Sequence, residues 1–420
     1  MSDKYKNEII TVIDIGTTKI IVLIAEYNLE KNKIIKVVGF GDSYSDGLKR
    51  GVVVDISKTI NSITNAVESA EKQAGFEISH AFVGISGDHI SSLNYSGVTS
   101  INSNSQNQAI GHSITYEDIE KVQELAANIN ISPDRRIMHV LPQEYIVDEQ
   151  EGIASPLGLS GRRLEAKVHL VTSSINTERD ILTCLDELNI NVIDFILEPL
   201  ASAYSVLNAD EMNLGSILID IGGGTTDVIT YANGSVLHTG VVPIGGTIIT
   251  NDIAYRIQTS IEQAEELKQH YGSSNLDEAN SNDDIIVKGV AGRSKLNISQ
   301  KVLCEVIEPR VREIFELVKA EIEKSNFNGD YTFGVVLTGG GSKLNGIMKT
   351  AYEVFDMPIK KGLPINDFEV ENIDIDILDP RYATAVGLIK YAGQNFNNYN
   401  KINQNSFIEM IKNFIKELIK

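Results

Sequence analysis

Two aspartates stand in matching contexts 206 positions apart, at 14 and 220. Asp14 lies in IITVIDIGTTKIIVLI (9–24), ahead of Gly16, Thr17, Thr18 and Lys19. Asp220 lies in SILIDIGGGTTDVITY (216–231), ahead of Gly222, Gly223, Gly224, Thr225 and Thr226. Each segment is an apolar, β-branched run ending in Asp-Ile-Gly, then a Thr-Thr pair, then a second apolar run, which predicts a strand, a tight turn and a return strand. Backbone N–H groups at a glycine-rich turn form a concave nest for phosphate oxygens. Threonine hydroxyls add donors, and a lysine adds a point charge for a β- or γ-phosphate. Magnesium takes a few carboxylates, often through its waters, together with phosphate oxygens. Facing turns would therefore let Thr17, Thr18 and Lys19 hold one phosphate end and residues 222–226 the other, with Asp14 and Asp220 on the ion. A hairpin with Gly and Thr at its turn is common and by itself carries no chemistry; two copies with the aspartate in register carry more. A third turn, Gly339-Gly340-Gly341, follows the apolar run 334–338 and lets a ligand approach the backbone closely. No segment reads G-x-x-x-x-G-K-[ST], and no G-x-G-x-x-G opens a helix, which disfavours P-loop and dinucleotide folds.

The elements that would position these turns read as mixed α/β. Residues 57–74 carry Ile60, Ile63, Ala66, Val67 and Ala70 on one helical stripe. Residues 115–130 open with Thr115 and Asp118 at capping-box spacing. Residues 301–324 read as a helix that Pro309 either starts or kinks. The stretches 101–109 and 272–285 read as loops, and 393–406 (GQNFNNYNKINQNS) as a flexible tether. At 420 residues the chain is long enough for two to three domains and a sizeable core. Its net charge of −20 argues against broad nucleic-acid binding, which needs a basic surface. The two cysteines, Cys184 and Cys304, are far apart and support neither a disulfide framework nor a zinc site. No signal peptide or membrane span is predicted, so the expectation is a cytoplasmic protein.

Two D-x-G-x-T hairpins with a late T-G-G-G turn resemble the superfamily of actin, the heat-shock chaperones and the sugar kinases. Within it, four segments resemble FtsA, the actin-like bacterial cell-division family. They are HAFVGISGDHI (80–90), LPQEYIVDEQEGIASPLGLSGRRLEAKVHLVTSS (141–174), LIDIGGGTTDVITYANGSVLHTGVVPIGG (218–246) and YATAVGLIKYA (382–392). The resemblance covers nearly the whole chain from residue 9. It implies a two-lobed α/β ATPase fold with ATP and Mg2+ in the cleft, duplicated core domains and an inserted small α/β subdomain used in contacts with other division proteins.

On that pattern the first lobe is 1–83 and 166–199, the insert 84–165, the second lobe 200–255 and 331–392, and its tip 256–330. The resemblance further implies Glu265 and Lys268, in AEELK, as contacts to ribose or adenine, and Gly339 and Gly340 against the adenosine. Without it, a lone AEELK reads better as a solvated i, i+3 pair. Glu198 matches an acid that orients attacking water in some relatives; a structural role at the hinge stays equally open. Hydrolysis in the family is commonly weak. Arg293, Lys295 and Lys301 fall where the second-lobe tip of the family contacts the acidic C-terminal peptide of the tubulin-like FtsZ.

Residues 407–420 (FIEMIKNFIKELIK) place Phe407, Ile411, Phe414 and Leu418 at spacings of 4, 3 and 4, widened by Ile408, Ile415 and Ile419. At about 1.5 Å per residue this helix is too short to cross a bilayer and suited to lying on one. Packing on the body or in a partner's groove is the competing reading; the family resemblance, whose members end in such a helix, favours the membrane. The expected function is an actin-like ATP-binding protein that self-assembles and anchors FtsZ filaments to the cytoplasmic membrane at the division site. The alternatives are a soluble ATPase recruiting a peptide, as in pilus assembly, and a small-molecule kinase, for which no separate catalytic aspartate is evident.

Overall fold

The computed structural model describes residues 7–31, 33–101, 112–279, 285–287, 295–325, 327, 329–365, 367–370 and 375–396. Both predicted hairpins form. Asn7–Ile15 pairs antiparallel with Lys19–Asn28, and Ser216–Ile221 with Thr226–Ala232. Their inner residues are buried almost without alternation, as expected of strands covered on both faces.

Each hairpin seeds a sheet of the same topology. In the first, strands run in the order Asn191–Leu197, His80–Ile85, Asn7–Ile15, Lys19–Asn28, Lys33–Tyr44 and Glu369–Val370. In the second, the order is Ile359–Lys361, Val335–Thr338, Ser216–Ile221, Thr226–Ala232 and Ser235–Val242. Both therefore contain a three-strand antiparallel meander extended by two parallel strands. In a parallel extension each crossover needs a connection over the sheet face, and helices supply it. Ile56–Ala74 covers one face of the first sheet with Ile63, Ala66, Val67 and Ala70. The helical segment 383–396 covers the other with Ala385, Val386, Leu388 and Ile389.

The predicted helices form, the one expected over 115–130 ending at Ala127. Thr115 and Asp118 make both bonds of a capping box on Tyr116–Ala127. Gln300–Glu323 is one continuous helix through Pro309, which sits on its exposed face where the carbonyl of Glu305, left without its donor, reaches water. Phe315 and Val318 of this helix join Val228 and Val335 in the core of the second sheet.

Four boundaries differ from the sequence reading. The insert is a four-stranded antiparallel sheet, ordered Gln150–Ile153, Arg135–Val147, Arg163–Ser174, Ser91–Ser100, with Tyr116–Ala127 on one face. Its third strand stays paired with both neighbours to Thr172, with two bulges against Arg135–Val147, so the insert extends past 165. The expected division at 255/256 falls inside the helix Gly246–Ile257. Residues 368–370 and 375–396 return to the first lobe, where Phe368, Tyr382 and Leu388 share its core. The tether does not begin at 393, because residues 393–396 continue the helix and Phe396 is buried against Tyr27, ring centroids 5.0 Å apart. The rest of the tether, the 407–420 segment with the seven residues named for its apolar face, and Arg293 lie outside the described residues, as does nearly all of the 101–109 stretch.

Candidate functional site

The two hairpin turns meet. Each is a four-residue loop closed by the same bond: Gly16 N–H donates to the Lys19 carbonyl (3.0 Å) and Gly222 N–H to the Thr225 carbonyl (3.0 Å). A Cβ built on Gly223 would lie 2.4 Å from Thr18 Oγ1, and one on Gly224 2.4 Å from Thr17 Oγ1. The threonines of the first turn therefore nest against the glycines of the second. The third turn closes over both: Gly339 has φ +82°, and a Cβ there would stand 2.2 Å from Asp220 Oδ1. Only glycine combines that backbone with that approach. A Cβ on Gly341 would stand 2.3 Å from Ile221 Cγ2, while Gly340 has room beside Arg381.

Asp14 and Asp220 are buried at this junction. Burial first, and then the proximity of Asp220, raises the Asp14 carboxyl to about 6 against the pull of Lys19. Lys19 Nζ is 3.9 Å from Asp14 Oδ2, donates to the Arg381 carbonyl and stands over the Tyr382 ring. Asp220 is raised by burial, while Ser202 (2.6 Å) and Thr384 (3.2 Å) donate to its Oδ2 and oppose the rise. Glu198 opens the helix Glu198–Val206 and is partly buried. Desolvation lifts its carboxyl well above the usual range, and Asp14, Asp227 and Asp220 lift it further.

Asp227 was not singled out by the sequence reading. It pairs directly across the ladder from Asp220, and Ser86 donates to its Oδ1 at 2.5 Å. Burial pushes it up to about 8, assisted by Asp220 and Asp14. The signal was present in the spacing. A four-residue loop puts the residue seven after the aspartate opposite it, which is Ile21 in the first hairpin and Asp227 in the second.

Glu265 and Lys268 reach the same place from the helix Ile261–Tyr271. Lys268 Nζ donates to Glu265 (2.7 Å), Thr250 Oγ1 (2.9 Å) and the Gly246 carbonyl (3.1 Å). Gly246 N–H in turn donates to the Gly222 carbonyl at 2.9 Å. Although burial opposes it, the Lys268 charge holds Glu265 below the usual carboxylate range. Thr226 is fully buried and commits its hydroxyl to the Ile244 carbonyl (2.8 Å), so it closes the loop behind the turn. Lys295 and Lys301 are exposed, and Lys301 lies at the start of Gln300–Glu323.

Two lobes of one topology, joined at paired Asp-Gly turns, define the actin-like class of fold, and solved structures of that class match. The PilM–PilN type IV pilus biogenesis complex aligns with TM-score 0.64 at 15% identity, covering 92% of this chain and 98% of that one. MreB5 of Spiroplasma citri bound to ADP aligns with TM-score 0.53 at 13% identity, covering 93% and 99%. The family model for the cell division protein FtsA matches residues 217–387, and that for the SHS2 domain inserted in FtsA matches 87–172. The chain is 42% identical to the cell division protein FtsA of Pseudomonas aeruginosa over 94% of its length and 91% of the relative's. It is 39% identical to that of Neisseria meningitidis (91% and 90%) and 35% to that of Escherichia coli K12 (90% and 89%). The chain belongs to the FtsA family of cell division proteins.

Proposed function

We propose that this protein binds ATP with Mg2+ between its two hairpin turns, assembles into filaments, and holds FtsZ polymers to the cytoplasmic membrane through its C-terminal amphipathic helix. The observation that carries the nucleotide reading is the meeting of the 16–19 and 222–225 turns beside buried Asp14 and Asp220. Actin-like MreB5 structures bound to ADP and to AMPPNP share the fold. The donor set suits magnesium. A hard cation held by one or two carboxylates, with water and phosphate oxygens completing its octahedron, fits such a site. In this reading Thr17, Thr18, Lys19 and the N–H groups of 222–225 hold the phosphates. Glu265, Lys268 and the 339–341 turn face the nucleoside, and Glu198 orients water or holds the hinge.

The membrane reading rests on the 407–420 pattern and on family membership. Among the described residues no helix is long and apolar enough to cross a membrane. A single short amphipathic helix binds a bilayer reversibly, whereas linked copies gain about 10²–10⁴-fold in avidity. Filament formation would thereby set membrane residence. FtsZ's acidic tail peptide would dock at the second-lobe tip near Arg293 and Lys301, and other division proteins on the insert.

Vesicle co-sedimentation with electron microscopy tests this for the full chain and for one ending at Asn405, with and without ATP–Mg2+. The expected result is vesicle coating by the full chain alone and filaments only with nucleotide. If neither form binds lipid while ATP still binds, the membrane reading fails and a soluble, peptide-recruiting ATPase takes its place.

A further inference from the structure

The ammonium of Lys19 does not sit where simple attraction would put it. The buried carboxylate of Asp14 lies 3.9 Å away, beyond hydrogen-bond length. A lysine on its flexible aliphatic stem would be drawn into contact with such a group, because Coulomb attraction grows as the dielectric falls. Instead Nζ donates to the Arg381 carbonyl and stands 5.4 Å from the centroid of the Tyr382 ring. Both holders are themselves fixed. Tyr382 is buried in the first-lobe core, edge to face with Phe40 at 5.5 Å. The short turn Pro380–Tyr382, which carries the Arg381 carbonyl, is closed by Asp379. The Asp379 side chain accepts from the Arg381 N–H (2.9 Å), and its carbonyl accepts from the Tyr382 N–H (2.9 Å). Asp379 also pairs with Arg381 (3.2 Å) and with Lys343 (2.5 Å), two residues beyond the 339–341 turn.

We propose that Tyr382 is a positioning residue: together with the Arg381 carbonyl, its ring holds the Lys19 ammonium off Asp14. A cation over an aromatic face is attracted by the ring quadrupole, and more strongly where water is kept away. That attraction and a hydrogen bond to a neutral carbonyl compete with Asp14 for the same charge. The separation has a use in the ATP–Mg2+ reading of the junction. Magnesium is held through carboxylates, waters and phosphate oxygens. A lysine closed on Asp14 would occupy the carboxylate and spend the charge that phosphate needs. Held apart, the carboxylate stays open to the ion and the ammonium to the phosphate. This use rests on the ATP–Mg2+ reading; the holding of Lys19 does not.

Two measurements on the full chain test the two parts. Isotope labelling of lysine Cε makes these side chains visible by NMR, and the Lys19 signal is the one lost in Lys19→Met. In the ligand-free wild type the ring should shift that signal upfield of the solvent-exposed lysines. Tyr382→Phe should keep the shift and Tyr382→Leu should lose it. A wild-type Lys19 signal among the exposed lysines overturns the holding, even where Tyr382→Leu fails to fold. The second measurement is the Mg2+ concentration that half-saturates ATP binding, at an ATP concentration saturating for each variant. Tyr382→Leu should raise it about tenfold and Tyr382→Phe less than about twofold. In the Lys19→Met background Tyr382→Leu should add nothing, because no ammonium is left to close on Asp14. An unchanged requirement in Tyr382→Leu overturns the use of the separation. An equal rise in both backgrounds overturns it too, since the ring would then act through packing alone. Absence of ATP binding by the wild type overturns that use together with the ATP reading, while the Lys19 signal still decides the holding.

Discussion

Thr18 and Gly223 face each other across the junction of the two lobes, so close that a methyl group on Gly223 would meet the threonine side chain at 2.3 Å. The relationship is that of a duplicated structure pressed against its own copy. Gly16 corresponds to Gly222, Thr17 to Gly223 and Thr18 to Gly224, since both loops close with the same bond. One copy supplies bulk and hydroxyls where the other supplies bare backbone.

Gly223→Ala should weaken nucleotide binding roughly tenfold, because overpacking costs about 1–3 kcal/mol at a rigid contact. Adding Thr18→Gly removes the obstructing atoms and should recover part of the loss, although it also deletes a hydroxyl donor. Titration with a fluorescent ATP analogue reads both, and additive losses in the pair would contradict the contact.

The buried carboxylates give the site a defined pH response. Asp14 is raised to about 6 and Asp227 to about 8 from an ordinary 3.8. Through this window the folded chain keeps protons that the unfolded chain has released. Stability of the ligand-free protein should therefore fall as pH rises from about 4 to about 8 and level off above that. Magnesium competes with the same protons, so ATP–Mg2+ should bind more tightly at pH 8.5 than at pH 6. Calorimetry in two buffers of different ionisation heat should detect proton release on binding, and a pH-independent affinity would contradict the reading.

Asp227→Asn keeps an oxygen to accept from Ser86 and removes a charge that desolvation and two neighbouring aspartates disfavour. The ligand-free variant should melt a few degrees higher at pH 8, with little difference at pH 4, where wild-type Asp227 is already neutral. Magnesium dependence of nucleotide binding should weaken in the same variant. Thermal scans at the two pH values, run with and without ATP–Mg2+, separate these effects.

Lys268→Met strips the donor shared by Glu265, Thr250 and the Gly246 carbonyl. Leaving such partly buried groups short of a partner costs about 1–3 kcal/mol. The loss should appear locally, as faster hydrogen exchange in Gly246–Ile257, together with weaker nucleotide binding. Unchanged exchange there would place Lys268 outside the support of the 222–225 turn.

Both hairpins and the glycine turn could be read from the chain, because apolar runs ending in Asp-Ile-Gly declare a strand and its turn locally. The pairing of Thr-Thr with Thr-Thr could not. By loop closure Thr17 and Thr18 correspond to Gly223 and Gly224, and the second Thr-Thr pair lies two positions later. Asp227 escaped for a related reason: on the page it is a polar residue inside an apolar run, and only the antiparallel register puts it opposite Asp220. Ser202 and Thr384, which hydrogen-bond Asp220 from two different helices, carry no local mark at all. The return of the helical segment 383–396 to the first sheet is hidden in the sequence because the apolar face of a helix does not say which of two similar sheets it covers.

That return has a mechanical meaning. Phe396 is clamped on Tyr27, a residue of the strand Lys19–Asn28. Whatever the chain does after that point therefore takes its bearings from the first lobe, to which Phe396 is packed. A load applied to the segment beyond Phe396 would be borne by the six-stranded sheet directly, without passing through the nucleotide junction.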